Sequence, residues 1–304
     1  MDKLQSVQPR GRQMDDRRIC AVVVSYMPTQ KDTENLAHIR AQVGALVVVD
    51  NGSPSATIEK LRTLCETLEC TLIENGENLG IATALNKGVA WADVHGYEWV
   101  ISFDQDSTPT LGMIEAMMTC VEQESGVKTG IFVPRYQDSR SGHILPALYD
   151  KSGNLTFAMS SGSLVRTETF RREGGYVDEL FVGGVDFDFS LRLRSRGYLI
   201  RECTQALLLH EPSYPRNLTL FGVKILTTSN YSAMRRYYSE RNRVWLRRMY
   251  MKDFPSLCLN LYWTSAKEYV KVLVGEKEKG RKLRLMLLGV LDGLAGKMGR
   301  TTRA

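Results

Sequence analysis

The sequence contains no uninterrupted apolar run of about 18 residues, the length at which a helix begins to span a bilayer. Any membrane contact is therefore expected to be peripheral. The six cysteines, Cys20, Cys65, Cys70, Cys120, Cys203 and Cys258, include no C-x-x-C pair and have no histidine at zinc-finger spacing. That scatter points to neither a disulfide framework nor a structural zinc site, and it suits a reducing cytoplasm. Met1 to Arg18 is polar and lacks the apolar core of a signal peptide, so it reads as a disordered leader. Charge of one sign is not concentrated either: 40 Lys and Arg stand against 34 Asp and Glu, a formal net charge of +6. Such an excess does not by itself identify an acidic partner. There is no internal repeat, no low-complexity tract and no Ser-His-Asp or Cys-His signature of a covalent nucleophile.

What is present is an alternation of short apolar runs with helical stretches. A chain of 304 residues with 43% hydrophobic composition accommodates one α/β domain of about 200 to 250 residues and a smaller appendage. The runs at 19–26, 45–49, 71–74 and 99–103 are short, apolar and bounded by turn residues, as strands buried on both faces are. Helical stretches fall between them near 33–42, 55–68 and 82–92, which predicts a mostly parallel sheet flanked by helices. A helix near 111–124, a strand at 130–134, a loop or hairpin at 137–153, and a turn, strand and short helix across 160–173 continue the pattern. A helix at 187–196, ended by Gly197 and carrying Asp186 and Asp188 in its first turn, precedes the apolar run 206–209. From Lys224 onward the pattern reads as helical and basic. The expected organisation is a leader at 1–18, a catalytic domain at 19–222 and a helical C-terminal region at 223–304.

Several carboxylates fall at strand ends, where open α/β sheets bind ligands. Asp104 and Asp106 follow the fourth apolar run on a turn and offer hard oxygens to Mg2+ or Mn2+ beside a diphosphate; a solvated turn is the plainer reading. Asp50 either accepts hydrogen bonds from a base or ribose or closes an Asx turn with Asn51-Gly52-Ser53. Asn78, Gly80 and Asn86 flank a helix start that either meets phosphate or ribose or only packs closely. Asp186 and Asp188 sit in an apolar neighbourhood that raises a carboxyl pKa toward general-base work, or they cap the helix. His210 ends an apolar run and is a metal ligand, a phosphate contact or a structural histidine.

The ordered series AVVVSYMP, VVVDNGS, ENLGIATALNKGV, FDQDS, SSGSLVR, VDFDFSLRLRSRGY and LLH, with YYSERNRVWL beyond, resembles the family-2 glycosyltransferases over roughly residues 19–250. Within them it looks like the bacterial rhamnosyltransferase branch, on the FDQDS form and the Arg241-Asn242 pair. The resemblance implies a GT-A fold and single-displacement, inverting, metal-dependent sugar transfer, with dTDP-L-rhamnose as donor. It implies that Asp104 and Asp106 hold the metal, with His210 a further ligand, and that Asp50, Asn78, Gly80, Asn86, Asp104 and Arg241 contact the nucleotide sugar. Asp186 falls at the catalytic base, with Asp188 standing where one form of the motif has Glu. A saccharide or polyprenyl-diphosphate-linked acceptor, work at the inner face of the plasma membrane and a part in cell-surface polysaccharide such as O-antigen are the corresponding expectations.

The segment from Tyr231 to Lys252 interleaves six arginines with Tyr237, Tyr238, Trp245 and Tyr250. It reads as a basic amphipathic helix at an anionic membrane surface, or as a solvated helix packed on the catalytic domain. Three rivals are weighed. Transfer of a UDP- or GDP-linked sugar keeps the mechanism. A nucleic-acid-binding tail leaves the acidic strand ends without a role. A nucleotidyltransferase calls for a Gly-rich basic phosphate loop after the first strand, where this chain has Met27-Pro28-Thr29.

Overall fold

A computed structural model describes residues 18–124, 126–211, 216–220 and 223–302, with the backbone alone at 216–220 and 223–227. The leader expected at 1–18 therefore lies outside the described residues except for Arg18. The chain opens with β1 (Ile19–Ser25), α1 (Gln30–Arg40), β2 (Ala45–Asp50), α2 (Ser55–Thr67), β3 (Thr71–Glu74), α3 (Ile81–Val94) and β4 (Trp99–Asp104). It continues with β5 (Thr108–Pro109), α4 (Met113–Gln123), β6 (Thr129–Asp138), β7 (Leu164–Arg166), α5 (Thr167–Arg172), α6 (Val185–Ser195) and β8 (Leu199–His210). Among the described residues these strands form one eight-stranded sheet in the order β3-β2-β1-β4-β7-β6-β8-β5. β1 to β4 pair in parallel, as do β6 and β8, while β7 and β5 run antiparallel to their neighbours. The expected α/β class and mostly parallel sheet hold.

Alternation along β1 explains why so short a run is wholly apolar. Val22 and Val24 face one core, with Val47, Val49, Leu85 and Val89. Ala21 and Val23 face the other, with Leu46, Val48, Leu61 and Met117. Burial on both faces leaves no position for a polar side chain. Gly88 lets α3 lie close on the sheet, since a Cβ there would come within 2.3 Å of Val22 Cγ1. The chain runs outward from β1 through β2 to β3, then returns across β1 to β4, so the sheet's topological switch point lies between β1 and β4. Their carboxyl ends open the crevice in which such sheets take ligands.

The C-terminal region departs from an all-helical reading. An antiparallel pair of β9 (Arg216–Leu220) and β10 (Val223–Thr228) comes first, and the expected division at 222/223 falls at the start of β10. Then follow α7 (Ala233–Tyr250), α8 (Pro255–Gly275) and α9 (Lys279–Leu294). α7 is the hub of this region and not a surface helix: Arg236, Tyr237, Tyr238, Arg241, Arg247 and Tyr250 are all buried. Arg236 pairs with Glu268 of α8 and with Glu276, which also binds Lys282 of α9. Gly289 of α9 faces the α7 backbone so closely that a Cβ would stand 2.3 Å from the Tyr237 carbonyl oxygen. The expectation that this segment is the membrane-facing helix is thus corrected: most of its arginines and aromatics are engaged internally, Arg235 and Arg248 excepted. No described helix is long and apolar enough to cross a membrane.

Candidate active site

A cleft of about 670 Å3 opens at the switch point, lined by the ends of β1, β4 and β8 and the starts of α3, α6 and α7. Asp104 ends β4, and its turn is fixed from beneath. The Asp104 N–H donates to Ser161 Oγ (3.1 Å), and Ser161 Oγ–H donates to Ser107 Oγ (2.8 Å). Gln105, between the two carboxylates, ties strand ends together. Its Oε1 accepts from the Tyr26 N–H (2.8 Å), its carbonyl accepts from Asn35 Nδ2 (3.0 Å), and its Nε2 donates to Asp32 (3.3 Å). Asp104, Gln105 and Asp106 all line the cleft. Burial pushes the Asp104 carboxyl up to about 6, with Asp106 adding to the rise. Burial likewise raises Asp106, opposed chiefly by His210.

Among the described residues, neither Asp106 Oδ1 nor His210 Nδ1, both buried in this cleft, has a hydrogen-bond partner. Orphaned buried acceptors are costly unless something binds them. Two carboxylates offer the hard oxygens that Mg2+ or Mn2+ accepts, so Asp104 and Asp106 fit such an ion, with His210 lining the same cleft. Among the described residues no three His, Cys, Asp or Glu side chains form a group able to hold an ion unaided. Diphosphate oxygens and water would therefore complete the sphere, as is usual for Mg2+.

Asp186 reaches the cleft from the first turn of α6, after Gly183 and Gly184, both with φ of 78°. It does not cap the helix; the N-cap is Gly184, and Asp186 Oδ1 accepts from the Phe187 N–H at 2.9 Å. Burial pushes its carboxyl up to about 6, which that hydrogen bond opposes and the charge of Asp104 reinforces. The backbone feeding Asp186 is strained. Phe181 has φ 61° and ψ −66°, and the Val182 N–H donates to the Leu180 carbonyl at 2.7 Å, a γ-turn of the rare positive-φ form.

That turn explains the Arg241-Asn242 pair. Asn242 Nδ2 lies within hydrogen-bond distance of the carbonyls of Leu180 (2.9 Å), Val182 (3.1 Å) and Gly183 (2.6 Å). Arg241 donates to the carbonyls of Glu179, Leu180 and Gly299. Arg241 is 1% exposed and its donors face backbone, so the structure corrects its assignment as a nucleotide-sugar contact. Asp188 is corrected likewise. It is 2% exposed, accepts from Tyr250 Oη (2.7 Å) and pairs with Arg192 (2.9 Å), away from the cleft. Asn86 is also turned elsewhere, holding Tyr176 and Asp178 through its side chain.

Asn78 and Gly80 line the cleft as expected. Asn78 Oδ1 accepts from Asn51 Nδ2 (3.2 Å) and the Gly80 N–H (3.0 Å). Gly80, with φ 87°, is required by packing, because a Cβ would come within 2.6 Å of the Phe181 carbonyl oxygen. Asp50 is fully buried and makes the Asx turn through Oδ2, which accepts from the Gly52 and Ser53 N–H groups, while Oδ1 has no partner. Sequence reasoning passed over Tyr231, Arg235 and Phe181, all of which line the cleft. Arg235 lies with its guanidinium 4.2 Å from the Tyr231 ring centroid, and its charge favours the ionised form of Asp104. For Tyr231 and Arg235 the local signal was their place at the start of an arginine- and tyrosine-rich helix; Phe181 carried none.

Residues 33–174 match the model of glycosyl transferase family 2. The chain is 28% identical, over 299 residues, to the dTDP-rhamnosyl transferase RfbF of Shigella flexneri, covering 92% of this chain and 97% of that protein. Its fold resembles S. aureus TarS 1-349 (TM-score 0.58, 12% identity, 90% of this chain and 80% of that one). It also resembles the mannosyltransferase PcManGT of Pyrobaculum calidifontis, solved with GDP-Man and Mn2+ (TM-score 0.51, 17% identity, 91% and 75%). With a carboxylate-lined cleft at the switch point of its sheet, a match to glycosyl transferase family 2 over residues 33–174 and the rhamnosyl transferase relative, the chain is a glycosyltransferase of the GT-A fold.

Proposed function

We propose that the chain is an inverting, metal-dependent transferase that moves L-rhamnose from dTDP-L-rhamnose to an acceptor hydroxyl. The observation that carries the chemistry is the convergence of Asp104, Asp106, His210 and Asp186 on one cleft. The donor rests on the rhamnosyl transferase relative; a UDP- or GDP-linked sugar would leave the mechanism unchanged. A divalent ion bound by Asp104, Asp106 and His210 would neutralise the leaving diphosphate.

The remaining steps belong to side chains of this chain. Arg235 supplies a fixed positive charge on the diphosphate side of the cleft. Asn51 and Asn78 form the polar end suited to a base and ribose, and the fully buried Asp50 fixes the turn that carries Asn51. Asp186, raised to about 6, is ionised at neutral pH yet more basic than an ordinary carboxylate. It takes the proton of the acceptor hydroxyl as that oxygen bonds to the anomeric carbon. The bond from that carbon to the diphosphate breaks, and its electron pair leaves with the diphosphate. Cell-surface polysaccharide synthesis at the cytoplasmic face of a membrane is the setting consistent with such a donor.

The test pairs two variants. Asp186→Asn is expected to lower turnover by at least about 10²-fold, the usual contribution of a general base, with donor affinity retained. Asp106→Ala is expected to lose metal-dependent donor binding. Wild-type turnover in Asp186→Asn would overturn the base assignment.

A further inference from the structure

Asp186 lines a second cavity as well as the donor cleft. This cavity, about 610 Å3, runs between Phe157 and Phe187 on one side and Leu246 of α7 with Leu257 and Leu261 of α8 on the other. Its aliphatic and aromatic walls match hydrocarbon better than a chain of sugar hydroxyls. The face of α8 beside those cavity residues is unpartnered. Leu259, Trp263, Val270 and Val274, at helical spacing, are 56%, 68%, 53% and 61% exposed. Tyr262 and Leu273 widen the stripe. Lys267 borders it, Lys271 beyond it pairs with Glu268 (2.7 Å), and Glu268, the single acid of α8, is buried against Arg236. Apolar surface edged by cations complements an anionic headgroup layer; stacking two copies of the stripe would bring like charges together.

We propose that α8 docks on an anionic lipid surface through Leu259, Trp263, Val270 and Val274, and presents the cavity beside Asp186 to it. The acceptor is then an amphipathic saccharide carried on a hydrocarbon chain, its hydroxyl at Asp186 and the first part of its chain between Phe157 and Leu261. The acceptor's orientation rests on Asp186 as the base; the docking does not.

Co-sedimentation of the full chain with vesicles tests the docking. Wild type is expected to pellet with equimolar phosphatidylglycerol and phosphatidylcholine and to stay in solution with phosphatidylcholine alone. Leu259→Glu combined with Trp263→Glu should lower pelleting about tenfold, an energy of about 1.4 kcal/mol, with melting temperature and donor binding unchanged. Wild type remaining in solution with both vesicles overturns the proposal, as does a variant that pellets like wild type. So does a wild-type dimer, by light scattering, that the same variant turns into a monomer. For the cavity, decyl phosphate below its micellar concentration should raise the melting temperature of wild type but not of Leu261→Glu or of Thr264→Trp, which fills the space without adding charge. Equal stabilisation of all three overturns the cavity assignment. Donor binding, read separately, shows whether the catalytic reading fails independently.

Discussion

Asp186 and Asp188 stand about 200° apart around a helix of 3.6 residues per turn, so one faces the cleft and the other faces the core. Their spacing already held that distinction, because residues two apart on a helix do not share a face. Which of the two points outward depended on the packing of Tyr250 and Trp245, some sixty residues onward, and was not legible locally. Asp188→Asn is expected to destabilise the fold by about 3 kcal/mol, because it leaves the partly buried Arg192 without its buried ion partner; thermal melting checks this, with turnover per folded molecule retained. Asp186→Asn is expected to do the reverse. The folded-state carboxyl is raised from 3.8 to about 6, so the folded chain holds that proton more tightly than the unfolded one. Stability therefore falls as pH rises through this window and stays lowered above it. In metal-free buffer above neutral pH the variant should be more stable than wild type by on the order of 1 to 3 kcal/mol, and the difference should vanish toward about pH 4. Wild-type kcat/KM should fall as pH drops through about 6, where the base becomes protonated.

At the scale of elements, the site depends on α7 for more than Arg235, the residue it places in the cleft. α7 holds the γ-turn at Phe181, a conformation costing on the order of 1 to 3 kcal/mol, and through it the approach of Asp186. Asn242→Ala removes the amide shared by three carbonyls and should lower kcat much more than donor affinity; single-turnover kinetics beside calorimetric donor binding distinguishes this from general unfolding. Gly289→Ala would set a Cβ 2.3 Å from the Tyr237 carbonyl oxygen and should cost about 3 kcal/mol or more through overpacking, measured as a lower denaturant midpoint. The arginines of α7 looked like a cationic surface because a sequence displays charge but not its partners. Here those partners are Glu268, Glu276 and backbone carbonyls distant in the chain. The membrane reading of the tail passes to α8, whose apolar stripe no single run of the sequence advertised.

Over the whole molecule, legibility followed burial. Strands covered on both faces, β1, β2 and β4, leave unbroken β-branched runs, and the polar residues that end them mark the cleft. The C-terminal strand pair and the shortest strand leave no such trace. β9 and β10 read RNLTL and VKILTT, mixed enough to pass as helix, and two-residue β5 has no pattern at all. The central claim is that the orphaned acceptors at the switch point receive a metal and a nucleotide sugar together. It is tested most directly by the melting temperature of the purified chain with dTDP-L-rhamnose, with and without Mn2+, beside Asp106→Ala. The account predicts a rise for wild type that requires both sugar nucleotide and metal and is lost in the variant. No rise with any nucleotide sugar in the presence of Mn2+ or Mg2+, or an equal rise in the variant, would contradict it.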